Sequence, residues 1–474
     1  MTAAAAAHRA SADPPEIVER GLQAAGLLAG AAGCVVLVEE SGSVNLRWAM
    51  NGLTTNGVVS AQSVTVAVTA DVSGGQAVGV LTRPAVDADG VADLVADALA
   101  VARAGAAAED AAPLVAGEPA PDWHEPAVTT GPSVLAAFGS GLGEVFAASR
   151  AGRREVFGYA EHQVRTTWLG TSAGLRIRHV QPSGIVELNG KSHDRTRSTW
   201  VGQSTRDFTD VDVHALDQQA QTRLAWQARR VDLTPGRYDT VLPPAAVADL
   251  FVYMHWLSDA RSAHEGRSAF SRPGGGTRVG ERLTDARLTL AGDPAFPGLE
   301  CADRVLTTSS SQLASVFDNG LQSRAVPWID DGVLRALPTT RYTAALTGLP
   351  LTPPVGNLLL SADGGQGGAE DLVTGLDRGL LLTCLWYIRE VDPTTLLLTG
   401  LTRDGVYLVE GGEIAGAVAN FRFNDSPVDL LRRVRAAGRT EPTLSREWGE
   451  YMRRTAMPAL TVEGFNLSSV SEAS

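Results

Sequence analysis

The second half of this chain is dominated by short strand-like segments, and this pattern constrains the fold more than any other feature. Seven apolar runs are separated by turn residues: RLTLAG, GLECADRVLTT, WIDDGVLRAL, NLLLSAD, GLLLTCLWYIREV, TTLLLTGLTRDGVYLVEGGEI and AGAVANFRF. Runs of this length with Gly, Asp and Pro between them predict β-strands joined by tight turns. We therefore expect a large antiparallel β domain over residues 233–440, ending in the helix SPVDLLRRVRAAG and a polar tail.

One of these runs, GLLLTCLWYI at residues 379–388, is apolar without interruption. Half-buried strands alternate apolar and polar residues, whereas a continuous apolar strand is typical of a sheet position covered on both faces. We expect this segment to be buried on both faces and to lie at a contact between subunits that pair through the last domain.

The first half of the chain predicts two further units. Residues 13–112 contain two segments with helical spacing, EIVERGLQAAGLLAGA and VADLVADALAVARA, with a strand meander between them. A Pro-rich linker follows at residues 113–132, and residues 125–230 then combine alternating strands such as LRIRHV with flanking helices. The prediction is an α+β protein with an N-terminal α/β-meander domain, a β-rich middle domain and the large C-terminal β domain.

Composition and charge exclude several classes of protein. The chain has 474 residues, 44% of them hydrophobic, and a formal net charge of -13, which argues against nucleic acid as a partner. The longest uncharged stretch, residues 21–38, is rich in Ala and Gly and predicts no membrane span. Three widely spaced cysteines and the lack of a signal-peptide pattern in residues 1–16 predict a cytoplasmic protein.

A histidine pattern near the middle of the chain approaches a zinc-peptidase motif without completing it. The HExxH motif places two histidines on one helical face, with a glutamate beside the first that activates the metal-bound water. His264-Glu265 is followed by Ser268 and Ala269 at the positions four and five residues after the histidine, where a second histidine would stand. The pattern therefore lacks a ligand.

Four phrases in the C-terminal half, in this order and spacing, resemble the TldD/PmbA family: GRSAFSRPGGGTRVGERL, DPAFPGLECADR, SVFDNGLQSRAVPWIDDGVLRALPTTRYTAALTG and TRDGVYLVEGGEIAGAV. The N-terminal unit also resembles that of the family, because a turn at Asn51-Gly52 lies inside a strand meander that precedes a helix. The resemblance implies a cytoplasmic two-subunit peptidase in which the TldD subunit carries zinc and the TldE subunit does not.

The resemblance also implies where a metal would be bound. The catalytic subunit carries HExxxH on a helix just before a serine-rich phrase, which corresponds here to GRSAF. The matching helix is Ala245 to Arg261, in which Trp256 follows His255 where the glutamate belongs and Ala260 stands where the second histidine belongs. The general base and one ligand are both absent.

A late cysteine ligand follows a VDP-like phrase in TldD-type chains. Residues 391–405 of this chain contain VDP but no cysteine, and Cys384 precedes the phrase. The resemblance thus implies a TldE-type subunit with no metal of its own, zinc in a HExxxH-bearing TldD-like partner, and a chamber for unfolded or short peptides held by strand addition.

Two alternatives stay open at the level of sequence. The chain could be an autonomous hydrolase, working as a homodimer, with a site rebuilt from His255, Asp259, His264 and Glu265. His255 and Asp259 are four residues apart, so one helix would present both on the same face. A non-enzymatic scaffold that binds peptides in the same chamber is the second alternative.

Two further polar pairs are candidates for substrate binding or the subunit contact. Arg403-Asp404 lies between two apolar strands, in a phrase that resembles one of the family. Arg422 and Asn424 alternate with phenylalanines, so a strand would present both on one face.

Overall fold

The structure, a computed structural model, describes residues 13–471. Residues 1–12, which form most of the segment that lacks a signal-peptide pattern, lie outside this range. Between residues 13 and 471 there is no helix both long and apolar enough to span a bilayer. The predicted α+β class is confirmed, because the chain builds three sheets with helices between and around them.

Residues 13–232 of the described chain form one antiparallel sheet covered by helices. The elements are α1 (Pro14–Leu27), β1 (Gly33–Ala49), β2 (Gly52–Val72), β3 (Gly75–Pro84), α2 (Val91–Ala104), a 3₁₀ turn (Pro132–Leu135), α3 (Ala136–Ala151), β4 (Arg154–Thr171), β5 (Arg176–Ser192), β6 (Ser198–Thr205) and α4 (Val213–Trp226). The strand order is β3-β2-β1-β4-β5-β6.

The division into separate units at 13–112 and 125–230 is wrong. β1 pairs with β4 over fourteen residue pairs, from Val35 with Thr171 to Trp48 with Gly158, so both predicted units contribute to one sheet. The Pro-rich linker is a loop, as expected. The pairing of β1 with β4 could not be predicted, because strands more than a hundred residues apart leave no local pattern in the sequence.

The hairpin at the end of β1 shows how this sheet is fixed. Met50 and Asn51 both have positive φ, 51° and 61°, as a two-residue hairpin turn requires. The Asn51 side chain donates to the carbonyl oxygen of Arg154 at 2.8 Å and accepts from the backbone N–H of Val156 at 2.8 Å. The turn predicted at Asn51-Gly52 therefore also ties the meander to β4.

Residues 233–471 form the second lobe. Its elements are β7 (Gly236–Leu242), α5 (Pro244–Trp256), α6 (Ala260–His264), β8 (Leu288–Gly292), a 3₁₀ turn (Val316–Asp318), β9 (Val326–Asp330), β10 (Val333–Leu334), α7 (Arg341–Thr347), β11 (Leu358–Ala362), α8 (Ala369–Thr374), β12 (Arg378–Leu382), β13 (Leu385–Asp392), β14 (Leu397–Thr402), β15 (Val406–Glu410), β16 (Glu413–Ala417), β17 (Phe421–Asp425), α9 (Pro427–Arg432), β18 (Val434–Ala437), β19 (Glu441–Thr443), β20 (Thr455–Met457) and β21 (Leu460–Val470).

Two sheets make up this lobe. One has the order β10-β9-β8-β11-β20-β19, and the other has the order β13-β14-β17-β21-β7-β12-β15-β16, with β18 also paired to β21. Most pairs are antiparallel, as predicted for this domain, and two pairs, β7 with β12 and β11 with β20, are parallel. The predicted end at residue 440 is wrong, because β21 pairs with β7 inside the larger sheet.

The continuous apolar run forms two strands, and the first of them, β12, is covered on both faces as predicted, whereas Tyr387 of β13 is 55% exposed. Leu380 and Leu382 of β12 pack into the main core of this lobe, whereas Leu381 packs with Tyr407 and Val409 in a second cluster on the other face. Both faces of β12 are thus covered within the chain itself, and the predicted place of this run at a subunit contact stays a prediction.

The two faces of the N-terminal sheet have different neighbours. Val36 and Val38 of β1 pack against α1 and α2, and Val44 packs against α3 and α4. Val35 and Leu37 point the other way and contact the second lobe. All four long helices of residues 13–232 therefore cover one face, which leaves the other face to the second lobe.

Candidate functional site

His255 is a buried residue at the end of an apolar helix. α5 begins at Pro244, since proline suits a first helical turn, and ten of its thirteen side chains are buried. The His255 ring centroid lies 5.0 Å from that of Trp328, at an interplanar angle of 46°. Burial lowers the pKa of His255 to about 4, so its imidazole is neutral at physiological pH.

The helix ends at Trp256, one residue after His255, and the predicted continuous helix from Ala245 to Arg261 is wrong. Ser258 Oγ donates to the His255 carbonyl oxygen at 2.6 Å, and Asp259 has extended backbone angles. Ser and Asp favour helix ends because their side chains compete for backbone hydrogen bonds. His255 and Asp259 consequently lie on opposite sides of a helix break and share no helical face.

Asp259 acts as the cap of the next helix. It is 5% exposed, and its Oδ1 accepts from the backbone N–H of Ser262 at 2.7 Å. The Gln312 amide, assigned with its nitrogen towards Asp259, donates to Oδ1 at 3.1 Å and Oδ2 at 3.2 Å. Both carboxylate oxygens are therefore engaged, although the residue lines a cavity of about 700 Å³ with Trp256.

His264 and Glu265 lie at the outer end of α6. Glu265 is exposed, and its carboxylate accepts from Arg261 Nε at 3.0 Å and from Arg267 Nε at 3.0 Å. These arginines hold the pKa of Glu265 below its usual range. The group is a surface ion-pair network, and the glutamate is not aimed at His255.

The side chains around His255 do not fit a zinc site of the kind that the family resemblance implies for the partner subunit. Catalytic zinc needs three protein ligands. Across residues 13–471 there is no group of three His, Cys, Asp or Glu side chains that could hold a metal ion. Cys384 is 1% exposed, and burial raises its pKa well above the usual range, so its thiol is not available as a thiolate.

Of the other candidate residues, Arg403 and Asp404 lie where the two lobes meet. Asp404 accepts a hydrogen bond from Ser198 Oγ of β6 at 2.5 Å and has Arg446 at 3.8 Å. Arg403 is half-buried, with its Nε 3.8 Å from the Asp404 carboxylate. Asp404 thus joins the C-terminal lobe to the N-terminal sheet.

Arg422 and Asn424 lie on β17, where the intervening Phe423 is fully buried. Arg422 is exposed and donates to Thr399 Oγ1 at 3.3 Å, whereas the Asn424 carbonyl oxygen accepts from Asn466 at 2.9 Å. The two predicted pairs contact different neighbours, so the structure does not bring them into one site.

The sequence does not predict the cleft between the two lobes. The cleft has a volume of about 440 Å³, and a cavity of about 310 Å³ adjoins it and shares part of its wall. One wall is the free face of the N-terminal sheet, where β4 and β5 present facing polar rows: Gln163, Arg165 and Thr167 opposite Ser183, Gln181 and His179. Loops of the second lobe form the other wall.

Two consecutive arginines from the region predicted as a polar tail reach this cleft. Arg453 donates to Glu161 Oε2 at 2.8 Å, and Arg454 donates through Nε to the carbonyl oxygen of Gly356 at 3.0 Å. The alternation of β4 and β5 signals a wet face, but nothing in the local sequence indicates that this face is an interlobe cleft.

The C-terminal lobe matches a known family in sequence. Residues 235–469 match the family model of the PmbA/TldA metallopeptidase C-terminal domain. A comparison with curated protein sequences gives no match.

Solved structures share the fold over nearly the whole chain. TldE from Thermococcus kodakarensis is 16% identical with a TM-score of 0.74, and the alignment covers 95% of this chain and 98% of that chain. A protein assigned as a modulator of a DNA gyrase from Thermotoga maritima is 17% identical, with a TM-score of 0.74 and coverage of 95% and 99%. A protein with a similar assignment from Bacteroides thetaiotaomicron is 16% identical, with a TM-score of 0.72 and coverage of 96% and 98%.

At these identities the structural likeness establishes the fold, while the sequence match identifies the C-terminal domain. Helix α5 and the break after His255 lie inside the matched residues. The chain therefore belongs to the TldD/PmbA family and has its metallopeptidase-like fold.

Proposed function

We propose that this chain is the metal-free, TldE-like subunit of a cytoplasmic two-subunit metallopeptidase. Its partner is a TldD-like chain that carries HExxxH and zinc. The role of this subunit is to complete a chamber that holds unfolded or short peptides, and the bond cleavage takes place at the zinc of the partner.

One observation carries the proposal. In the region where the family resemblance places the metal helix, His255 is packed on Trp328, the helix ends at Trp256, and Asp259 is bound to Ser262 and Gln312. A catalytic zinc site needs three converging ligands and a base close to the bound water. The side chains at this position are engaged in packing and capping, which supports a role in binding and not in cleavage.

The test is reconstitution. The chain is purified alone and together with its HExxxH-bearing homologue, and zinc content and peptide cleavage are measured for each. We expect zinc and cleavage only in samples that contain the homologue, with higher cleavage when both chains are present. Cleavage by the homologue alone at the rate of the mixture would refute the proposal.

Two variants separate this proposal from the autonomous hydrolase. His255→Ala removes the one histidine on α5, and His264→Ala is a matched control at the outer end of α6. Neither change should alter the zinc content of the isolated chain. Stoichiometric zinc in the isolated chain that is lost in His255→Ala would instead establish a rebuilt site. Peptide binding without any cleaving partner would favour the scaffold.

A further inference from the structure

We propose that the interlobe cleft, defined by Gln163, Arg165, His179, Arg453 and Arg454, binds a carboxylate group of a peptide. The peptide nature of the ligand rests on the proposed function, whereas its negative charge follows from the cleft itself.

The wall formed by the sheet is polar only where the cleft lies. On one side of it, Val35 and Leu37 pack against Phe317 of the second lobe. On the other side, Ile185 packs against Leu444. A sheet face sandwiched between two layers is normally apolar, so the polar rows between these contacts require water or a ligand. The polarity is therefore a property of this cleft and not of the whole face.

Arg454 lacks a carboxylate partner. Its Nε donates to the Gly356 carbonyl oxygen, and among residues 13–471 its terminal nitrogens have no hydrogen bond or ion pair within 4.0 Å. Burial lowers the pKa of Arg454, and the neighbouring Arg453 and Arg165 lower it further. A partly buried guanidinium group without a counter-charge is costly, since arginine remains protonated in proteins. An anionic ligand would remove this cost.

The neighbouring cations are only partly neutralised. Arg453 donates to the Glu161 carboxylate through Nη2, but its Nη1 is buried and has no hydrogen-bond partner in the described chain. Arg165 lies 3.6 Å from Glu39. Within residues 13–471 the Arg304 side chain donates only to the Gly320 carbonyl oxygen, at 3.3 Å.

Acidic residues also line the joined cavities, and several of them already have partners. The full acidic lining consists of Glu39, Asp207, Asp210, Glu300, Asp318 and Glu450. Glu300 forms an ion pair with Arg206 at 3.0 Å. Asp318 forms an ion pair with Arg341 at 2.6 Å. Burial lowers the pKa of His179, so its imidazole is neutral. Burial raises the pKa of Cys301, so it stays a thiol. Glu450 lines the cleft mouth as an exposed side chain. The lining as a whole therefore carries no excess positive charge, and the place that favours an anion is the local one at Arg454, which has no carboxylate within 4.0 Å among residues 13–471.

The shape and polar lining suit a peptide. The joined cavities, of about 440 and 310 Å³, are of the size that holds a few residues. Gln163, Arg165 and Thr167 alternate along β4, so their side chains repeat every ~7 Å, which is also the two-residue repeat of an extended peptide. Paired guanidinium groups bind carboxylates through parallel charge-assisted hydrogen bonds. A C-terminal carboxylate and an acidic side chain share this chemistry.

The test measures peptide binding to the isolated chain by fluorescence anisotropy. Three labelled hexapeptides are compared: a neutral peptide with a free C-terminus, the same peptide with a C-terminal amide, and the amide carrying one glutamate. We expect the free acid or the glutamate peptide to bind at least tenfold more tightly than the neutral amide, and the stronger of the two identifies the carboxylate source. Equal binding of all three would overturn the inference, as would inhibition by inorganic phosphate or an oligonucleotide without any carboxylate preference.

Variants tie the preference to the cleft. Arg454→Gln should weaken binding of the preferred peptide about 10- to 100-fold, the loss expected for a hydrogen bond to a charged group, and should leave binding of the neutral amide unchanged. Arg165→Gln, at a half-exposed side chain that tolerates change, should weaken it in the same direction. Arg378→Gln is the matched control, because this arginine is 69% exposed and outside the cleft.

The outcome is separable from that of the reconstitution. If both cleft variants keep the carboxylate preference while the chain still raises cleavage by its homologue, the inference fails and the proposed function stands. If the preference is lost in both variants but no homologue gains activity, the cleft is an anion site and the proposed function fails.

Discussion

The buried carboxyl group of Asp249 should make the stability of the C-terminal lobe fall as pH rises. Asp249 lies on α5 and has no exposed surface. Its Oδ1 accepts hydrogen bonds from Ser445 Oγ at 2.6 Å and from the Glu447 backbone N–H at 2.8 Å. Its Oδ2 has no hydrogen-bond partner in the described chain. Burial raises its pKa from 3.8 to about 7. A carboxyl group whose pKa is higher in the folded state than in the unfolded state adds stability when the pH is below its unfolded-state pKa. This added stability is lost as the pH rises through the folded-state pKa.

The magnitude follows from the two pKa values. Between pH 5 and pH 7 the unfolded chain has released a proton that the folded chain keeps, which costs about 1.4 kcal/mol per pH unit. Over two units the loss is about 2 kcal/mol, because the folded-state carboxyl group is already half ionised at pH 7. For a lobe of this size, residues 233–471, the loss corresponds to a fall in Tm of about 4–8 °C from this group alone.

The substitution Asp249→Asn isolates this effect. Asparagine keeps an oxygen acceptor for Ser445 and Glu447 but does not titrate, and any cost of its buried amide nitrogen is the same at every pH. The fall in Tm between pH 5 and pH 7, measured by differential scanning fluorimetry, should be smaller in Asp249→Asn than in the parent by about 4–8 °C. Asp89→Asn, at a side chain that is 92% exposed, should follow the parent. Parallel Tm curves for the parent and Asp249→Asn would refute the reasoning.

Three shorter predictions concern the helix break. The double change Trp256→Glu and Ala260→His completes HExxxH in sequence but should not create zinc binding by mass spectrometry, because the two histidine positions lie on separate helices; stoichiometric zinc would contradict this. Asp259→Ala removes a cap and should destabilise the lobe by about 1–3 kcal/mol in thermal unfolding, so an unchanged Tm would show that the cap is dispensable. His255→Leu should reduce the loss of stability as pH falls from 6.5 towards 4, since a neutral buried histidine disfavours the protonated state; Tm curves that stay parallel to the parent would argue against it.

Elements with a local pattern could be predicted from the sequence. Proline at the first turn predicts the start of α5, and the uninterrupted apolar run predicts β12 covered on both faces. The tendency of Ser258 and Asp259 to end or cap a helix is a local signal for the break, whereas the family resemblance predicts one continuous helix. This is why the predicted shared face of His255 and Asp259 is wrong.

The cleft could not be predicted, because it depends on distant pairings. β1 pairs with β4 across the Pro-rich linker, and only this pairing places Arg165 and Gln181 on a face that meets the second lobe. Arg453 and Arg454 reach that face because the chain after α9 returns through β20 and β21 instead of ending in a tail. Hydrophobic periodicity reports which face of a strand is wet, but it does not report what lies opposite.

The central position of β21 has a consequence for biosynthesis. Residues 242 and 460, which pair in the large sheet, are 218 positions apart, so at about 5–20 residues per second a ribosome completes β21 roughly 10–40 s after β7. During that interval β7 has an open edge, and β17 lacks one of its neighbours. The nascent C-terminal lobe therefore exposes unpaired strand edges throughout this interval, and a ribosome that stops before residue 460 releases a chain whose largest sheet is split in two.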